Sequence, residues 1–336
     1  MIPQPIAPML ARSVAKIPVG DYAYEPKWDG YRCLIIRDGD SIELASRGKK
    51  PLTRYFPEVV EAARSLPERC IVDGELIVVD EGDEGSRLSW ELLSQRIHPA
   101  ESRIARLSVE TPAQFVAFDL LWLDEDLTGL PFRDRRERLE RMFTTPPHPS
   151  LHLTTITADH AVATQWFTRF EGAGLDGIIA KPAAGTYRQG KRDMLKIKHK
   201  RTAEAVVVGY RVAKGGHGVG SLLLGLYDGD TLRRVGGIVG LPNKVREELG
   251  EQLEPLRIDE PGPGLEKPVS RFGGQEEWVP LDPQLVVEVE FDQLEGDRFR
   301  HAVSLVRWRP DRDPRSCTLD QVDRAVAYDL ADVLDA

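Results

Sequence analysis

Cysteine is scarce in this chain, with three among 336 residues: Cys33, Cys70 and Cys317. An odd number at scattered positions predicts neither a disulfide framework nor a zinc site, and is typical of a reducing compartment. Long apolar runs are also lacking, since "FVAFDLLWL" at 115–123 is short and contains Asp119, so no membrane span is predicted. The first twenty residues, with two prolines in the first five, do not predict a signal peptide. We therefore expect a cytoplasmic protein.

Positive charge is in deficit overall, because the formal net charge is −9. The total argues against a nucleic-acid partner, but the distribution of charge does not. Residues 187–201, "YRQGKRDMLKIKHKR", contain seven Lys or Arg and one Asp, and residues 298–315 form a second basic tract. Either tract alone is equally consistent with a solvated charge run. Two such tracts on an acidic body favour a phosphate-rich partner at one face.

The length predicts two domains, at 1–201 and 202–336. Strands are predicted at 22–28, 31–37, 70–80, 114–123, 177–181 and 194–198, and helices at 57–66, 88–97, 133–142 and 159–172. Because strands and helices do not alternate regularly, the first domain is predicted to be α+β with antiparallel sheets. From 202 onward, five short strand-like segments and one helical segment, "PNKVREELGEQL", predict a small OB-fold β-barrel.

Charged side chains interrupt several of these apolar strands. In "EPKWDGYR", strand alternation places Glu25 and Lys27 on one face beside an Asp-Gly turn, where Lys27 is either a nucleophile or a solvated charge. The strand "CIVDGELIVVD" carries Asp73 and Glu75 on the same side. Buried carboxylates are costly unless they meet a cation, a metal or a ligand. One structural salt bridge explains either carboxylate, but less easily both.

The later segments repeat this pattern of charge at apolar strands. In "FVAFDLLWL" an aspartate follows Phe118, and in "GLDGIIAKP" Asp176 directly precedes an apolar strand. The segment "MLKIKHK" places Lys196 and Lys198 on one strand face. Like charges on one face destabilise a strand unless an anion lies between them. The set as a whole is more informative than any of its members.

In their order, these residues resemble the signature motifs of the covalent nucleotidyltransferases: ATP-dependent DNA ligases, RNA ligases and mRNA capping enzymes. The matching segments are "KWDGYR" with Lys27, "SRGKK" with Arg47, "VDGELIV" with Glu75, "AFDLLWL" with Phe118, "LDGIIAK" with Asp176, "LKIKHK" with Lys196 and Lys198, and "RWRPDRDP" with Arg307, Arg309, Asp311 and Arg312. The match spans nearly the whole chain. Within this superfamily the chain is most similar to the short bacterial ATP-dependent ligases called LigC, and it also resembles the ligase module of LigD.

Three positions depart from the family pattern. Asp176 stands where the family usually has Glu, so its carboxylate is one methylene shorter. Arg312 stands where the last motif usually ends in Lys, and Gly48 follows Arg47 immediately. None of these departures removes a type of charge.

The resemblance implies a role for each matched residue. It implies catalytic roles for Lys27, Lys196, Lys198, Arg309, Asp311 and Arg312; contacts to ATP from Glu25, Lys27, Arg32, Arg47, Glu75, Phe118, Lys196 and Lys198; and metal contacts from Glu75 and Asp176. Lys27 is the implied nucleophile that carries AMP. From the first basic tract we add Arg188, Lys191 and Arg192 as predicted DNA contacts.

The implied function is an ATP-dependent DNA ligase that seals 5′-phosphate/3′-OH nicks through lysyl-AMP, in DNA repair. ATP would be the co-substrate, with Mg²⁺ or Mn²⁺. The implied partners are nicked duplex DNA and end-joining or gap-filling repair proteins, for a monomer located beside the bacterial nucleoid. Two alternatives remain: an RNA ligase or capping-type nucleotidyltransferase, and a non-catalytic OB-type nucleic-acid binder. The first is separated from a DNA ligase by labelling with ATP against GTP, and the second by covalent labelling.

Overall fold

The computed structural model describes residues 6–48, 50–82, 85–213, 218–265, 278–292, 294–295, 297–322 and 328–334. The chain folds into two compact units, Met1–Lys198 with Arg324–Ala336, and His199–Asp323. The break near residue 200 lies close to the predicted domain boundary. A division at 202–336 would put the C-terminal residues in the second unit. They group instead with the first unit.

The first unit contains two sheets surrounded by short helices. Its strands are β1 (Ala11–Ser13), β2 (Tyr22–Pro26), β3 (Tyr31–Asp38), β4 (Ser41–Ser46), β5 (Arg69–Gly82), β6 (Gly85–Leu88), β7 (Ala113–Leu123), β8 (Glu125–Asp126), β9 (Leu151–Leu153), β10 (Gly177–Pro182) and β11 (Met194–Lys198). Its helices before the second unit are α1 (Pro57–Ala62), α2 (Trp90–Gln95), α3 (Glu101–Glu110), α4 (Phe132–Met142) and α5 (His160–Arg169). The larger sheet has the order β4-β3-β5-β7-β8, with β6 on β5 and β9 on β7; the smaller has the order β1-β11-β10-β2.

Most of these strand pairs are antiparallel, as predicted, while β1 with β11 and β7 with β9 run parallel. The larger sheet is buried on both faces, which explains the nearly continuous apolar character of its central strands. On β3, Cys33 and Ile35 belong to the core formed with the helices, whereas Leu34 and Ile36 belong to the core that includes Met194 of β11. The two sheets therefore share the apolar layer behind the candidate site.

The C-terminal segment returns to the first unit through apolar burial. The last helix, α7 (Ala331–Leu334), contains Val333 and is directly preceded by Leu330. Both side chains are completely buried in the cluster that contains Trp28. The Leu330 N–H donates to the Ser86 carbonyl at 3.0 Å, and the Ser86 hydroxyl donates to the Asp329 carboxylate at 2.5 Å. Burial of these side chains explains why the last residues belong to the first unit.

The second unit is an antiparallel β-domain with one α-helix among its described residues. Its strands are β12 (Arg201–Val212), β13 (Val219–Asp228), β14 (Thr231–Ile238), β15 (Val279–Pro280), β16 (Val286–Phe291), β17 (Leu294–Glu295), β18 (Arg298–Phe299) and β19 (Ser304–Trp308), and its helix is α6 (Asn243–Leu253). The sheet order is β14-β13-β12-β16-β19, with β15 on β12, and β17 pairs with β18. The five predicted strand segments and the helix are all present.

The barrel of the second unit is not closed by a strand ladder within the described residues. One isolated bridge joins Ile238, at the end of β14, to Val303, directly before β19. This partly open arrangement is a known property of the OB-fold, whose barrel need not be closed by strand pairing. Among the helices that the structure describes, none has the length and apolar content needed to cross a membrane.

Candidate active site

Lys27 follows directly after β2 and is fixed by backbone contacts to β10. The Lys27 N–H donates to the Gly177 carbonyl at 2.8 Å, and the Asp176 N–H donates to the Lys27 carbonyl at 3.0 Å. Two nearby glycines permit close backbone approaches, Gly30 to β5 and Gly177 to β11. A Cβ on Gly30 would lie 2.0 Å from the Leu76 carbonyl oxygen, and one on Gly177, at φ +135°, would lie 1.9 Å from that of Ile197. The backbone hydrogen bonds hold Lys27 beside Asp176, while Gly30 lets the Asp-Gly turn pack against β5.

Asp176 holds two of the predicted lysines. Its Oδ2 accepts from Lys27 Nζ at 2.6 Å and lies 2.7 Å from Lys198 Nζ. Burial opposes ionisation of Asp176, but the two ammonium groups outweigh that effect and hold the pKa of its carboxyl below the usual value. Asp176 is therefore an anion clamped between two cations. Burial, with the positive charges of Lys198 and Lys27, lowers the pKa of Lys196.

A pocket of about 580 Å³ opens beside Lys27. Of the predicted ATP contacts, those that line it are Glu25, Lys27, Arg32, Arg47, Glu75, Phe118 and Lys196. Lys198 is not among the lining residues and instead reaches Asp176. Arg192, which we predicted as a DNA contact, lines this pocket, while Arg188 pairs with Asp193 at 2.5 Å.

Arg32 and Glu75 face each other across β3 and β5. Arg32 forms a two-pronged ion pair with Asp73, Nε to Oδ1 and Nη2 to Oδ2, both at 2.6 Å. Asp73, one of the two carboxylates that the sequence singled out, is thus satisfied by a structural pair. Burial raises the pKa of Glu75 to about 7, although the charges of Arg32 and Lys27 oppose the rise. Glu75 therefore ionises near neutral pH.

Two cations border the ring of Phe118. The Arg32 guanidinium carbon lies 4.4 Å from the ring centroid and Lys181 Nζ lies 4.7 Å from it. Lys181 also contacts both carboxylate oxygens of Glu25, at 3.0 and 2.9 Å. Burial raises the pKa of Glu25, and the Lys181 charge works against that rise. The floor of the pocket is thus a buried ion pair beside an aromatic ring.

Lys181 is a pocket residue that the sequence reasoning missed. It is only 2% exposed and lines the pocket next to Glu25. The available signal was a lysine inside the apolar strand of "LDGIIAKP". A lysine is rarely fully buried without a partner, but the sequence does not identify Glu25 as that partner.

The second unit holds the predicted residues of the last motif in an ion network. Arg309 donates to both carboxylate oxygens of Asp311, at 2.9 and 2.8 Å, and also contacts Glu204. Arg312 pairs with the other oxygen of Glu204 at 2.5 Å. The hydrogen bonds from Arg309 lower the pKa of Asp311 to about 2. Glu204, which joins both arginines, was not predicted from the sequence.

A divalent metal would find one suitable protein ligand in the pocket. Among the described residues, no group of three His, Cys, Asp or Glu side chains could hold a metal ion by itself. Mg²⁺ commonly takes one or two carboxylates together with substrate phosphates. Glu75, which lines the pocket, fits that pattern. Asp176 does not fit as a direct ligand in this arrangement, because Lys27 and Lys198 already occupy it.

Family models match both units of the chain. Residues 8–198 match the "ATP dependent DNA ligase domain" and residues 215–312 match the "ATP dependent DNA ligase C terminal region". DNA ligase C1 of Mycolicibacterium smegmatis is 49% identical, over 98% of this chain and 97% of its own length. DNA ligase C of Mycobacterium tuberculosis is 50% identical, also over 98% of this chain and 97% of its own length. The crystal structure of the ligase domain of M. tuberculosis LigD is 31% identical, covers 93% of this chain and 98% of its own, and superposes with a TM-score of 0.50.

Proposed function

The chain belongs to the ATP-dependent DNA ligase family, and we propose that it seals nicks in duplex DNA through AMP carried on Lys27. ATP is the co-substrate of this family. The observation that carries the proposal is the position of Lys27 at the edge of a pocket that Glu25, Arg32 and Phe118 also line. This pocket offers a base-sized aromatic surface, buried polar groups and a cluster of cations beside Lys27.

In the first step, Lys27 Nζ attacks the α-phosphorus of ATP. A P–N bond forms, the bond to the β-phosphate oxygen breaks, and pyrophosphate leaves. The amine must lose a proton before it attacks, and the Asp176 carboxylate, 2.6 Å away, is the nearest acceptor. An oxygen of the 5′-phosphate at a nick then attacks the phosphorus of lysyl-AMP, the P–N bond breaks and Lys27 leaves as the amine. The adjacent 3′-OH attacks the 5′-phosphorus, forming the phosphodiester bond and releasing AMP.

The remaining pocket residues bind and orient the nucleotide. Lys196 and Arg47 line the pocket and would neutralise phosphate oxygens, while Lys198 positions Asp176 against Lys27. Arg32 would contact the ribose or a phosphate, and Glu25 would accept a hydrogen bond from the adenine amino group. These charges are fixed before ATP arrives, so little reorganisation is needed during the reaction.

Glu75 would hold a divalent metal, Mg²⁺ or Mn²⁺, together with ATP phosphates. Such an ion stabilises negative charge on phosphoryl oxygens. Glu75 must be ionised to serve as this ligand. Because its pKa is about 7, the pocket passes from neutral to anionic Glu75 in the physiological range.

We also propose that Arg309, Asp311 and Arg312 act on the pyrophosphate leaving group in the first step only. Arginine pairs well with phosphate oxygens. Arg309 would leave its carboxylate partners, Asp311 and Glu204, and bind phosphate oxygens, which are also anionic. Arg309→Ala should then slow adduct formation from ATP sharply, yet seal a nick that already carries AMP at nearly the normal rate. Equal loss in both reactions, or in neither, would contradict this role.

The whole function is tested by incubating the protein with α-labelled ATP, Mg²⁺ or Mn²⁺, and a nicked duplex. We expect a labelled protein, then labelled DNA with AMP on its 5′-phosphate, then sealed product. Labelling by GTP instead, or faster sealing of nicked RNA, would favour the RNA ligase or capping alternative. Absence of any covalent label under both metals would leave a non-catalytic nucleic-acid binder.

The DNA contacts and the setting of the reaction are part of the same proposal. Arg188, Lys191 and Arg192 lie in the basic tract at 187–201, and the two exposed residues of that set outside the pocket, Arg188 and Lys191, would contact phosphates beside the nick. A monomer acting in DNA repair with end-joining or gap-filling proteins, in the bacterial cytoplasm beside the nucleoid, stays a prediction.

A further inference from the structure

The hydroxyl of Tyr187 connects two segments that are far apart in the sequence. Tyr187 is 4% exposed and lies between β10 and β11. Its hydroxyl donates to Asp73 Oδ2 at 2.6 Å and accepts from the Met9 N–H at 2.9 Å. Burial and the charge of Asp73 raise the pKa of Tyr187 well above its usual value. The hydroxyl therefore keeps its proton and remains a donor at every working pH.

Asp73, which accepts from Tyr187, also binds Arg32. Asp73 is completely buried, and its two oxygens bind Nε and Nη2 of Arg32. A two-pronged pair of this kind fixes the plane of the guanidinium group as well as its position. Within the described part of the chain, Nη1 of Arg32 has no hydrogen-bond acceptor, and Arg32 lines the pocket. Nη1 is therefore the donor that remains for a ligand.

The backbone N–H and the backbone carbonyl of Met9 are both held by the same network. Its N–H donates to Tyr187, and its carbonyl accepts from Arg32 Nη2 at 3.4 Å. Met9 lies in the middle of residues 7–11, all of which line the pocket. A single phenol hydroxyl thus supports one wall of the pocket and, through Asp73, the guanidinium group that faces the ligand.

We propose that Tyr187 is a positioning residue for ATP. Tyr187 holds Arg32 through Asp73, and it holds the pocket wall through Met9. The proposal rests on the proposed function, in which this pocket binds ATP. Tyr187→Phe removes the hydroxyl and keeps the ring. It leaves the Met9 N–H without its acceptor and frees Asp73 to shift with Arg32. We expect the concentration of ATP needed for half-maximal adduct formation to rise about tenfold, as for loss of a hydrogen bond to a charged group.

Tyr24→Phe is the matched control. Tyr24 is also buried in the first unit, at 1% exposure, and its hydroxyl donates to the Pro18 carbonyl at 2.6 Å, away from Arg32. Tyr24→Phe loses one hydrogen bond and Tyr187→Phe loses two, so both should lower the melting temperature, Tyr187→Phe by more. Only Tyr187→Phe should change the dependence of adduct formation on ATP. If both variants, or neither, change it, Tyr187 has only a structural role.

A double-mutant cycle with Arg32→Lys tests the connection directly. A lysine cannot form the two-pronged pair with Asp73, so the effect of Tyr187→Phe through Arg32 should largely vanish in that background. We expect a factor clearly below the tenfold of the wild type there, because only the route through Met9 remains and coupled residues are not additive. The same factor in both backgrounds would overturn the proposal. If the wild type formed no adduct, the proposed function would fail, and ATP titration calorimetry would still decide the role of Tyr187.

Discussion

Replacing Glu75 with Gln should stabilise the protein while damaging its chemistry. The pKa of Glu75 is about 7 in the folded chain against an ordinary value of 4.5, so folding opposes its ionisation. Each pKa unit corresponds to about 1.4 kcal/mol, which gives about 3 kcal/mol above pH 7. Because the pocket leaves Glu75 partly exposed to water, we expect about 2 kcal/mol.

The sign of the effect follows from the raised pKa. Below pH 4.5 Glu75 is protonated in both folded and unfolded chains, and the neutral Gln brings no gain. Between pH 4.5 and 7 the unfolded chain ionises first, so wild-type stability falls relative to Glu75→Gln. Above pH 7 the difference is constant. The Gln amide oxygen can still accept the hydrogen bond from the Gly30 N–H, so the local structure should be retained.

Urea unfolding at pH 5 and pH 8, followed by tryptophan fluorescence, measures this difference. At pH 8 we expect Glu75→Gln to raise the free energy of unfolding by about 2 kcal/mol, and at pH 5 by about a quarter of that. Glu68→Gln, at an exposed position just before β5, is the control and should give no comparable dependence on pH. The variant should also form enzyme-AMP more slowly at pH 8. A stability difference that is equal at both pH values would refute the reasoning.

Three further variants test the site. Lys27→Ala should abolish both the enzyme-AMP adduct and ATP-dependent sealing, whereas the exposed Lys16→Ala should retain both; a normal adduct without Lys27 would mean that another lysine is the nucleophile. Lys198→Ala should slow adduct formation about 100-fold, as loss of one preorganised charge does, with unchanged circular dichroism; an unaltered rate would remove it from the site. Changing Arg188 and Lys191 to Glu should weaken nick binding more than it slows adduct formation. It should also reduce the slope of log binding constant against log salt concentration by the amount expected for about two phosphate contacts. Binding that does not depend on salt would argue against contact with the DNA backbone.

Much of the fold was predictable because its signals are local. Strands β5 and β7 are nearly continuous apolar runs, and α5 begins after Asp159, whose side chain accepts from the Ala161 N–H at 2.7 Å, a contact typical of an Asp at the start of a helix. Strand β1 has only the three residues "ARS" and forms by pairing with β11. Helix α3 buries only Ile104 and Leu107, too few apolar positions to predict a helix. Both elements depend on neighbours that are distant in the sequence.

The site shows the same division between local and distant information. Glu75 was recognisable because a charge inside an apolar strand is unusual in itself, and Lys27 because it stands beside an Asp-Gly turn. Lys181 carries the same strand signal as Glu75, but its significance comes from Glu25, 156 residues earlier. Tyr187 reads as the first residue of a basic tract, and its role depends on Asp73, 114 residues away. Spacing along a chain reveals which residues are unusual, but not which distant residues satisfy them.

The charge balance of the pocket shows why the site departs from what stability alone favours. The cationic lining residues are Lys27, Arg32, Arg47, Lys181, Arg192 and Lys196, and the lining carboxylates are Glu25 and Glu75. Even with Asp73 and Asp176 behind them, positive charge is in excess, in a chain whose net charge is −9.

Buried ion pairs contribute little to stability and often less than apolar residues of the same size. An excess of positive charge, to which the exposed Arg47 and Arg192 contribute, is useful when an anion completes it, and the triphosphate of ATP is such an anion. Stability lost to this arrangement should therefore return on ATP binding, as a rise in melting temperature that grows with ATP concentration. The rise should be smaller in Lys27→Ala, where the excess is reduced by one charge.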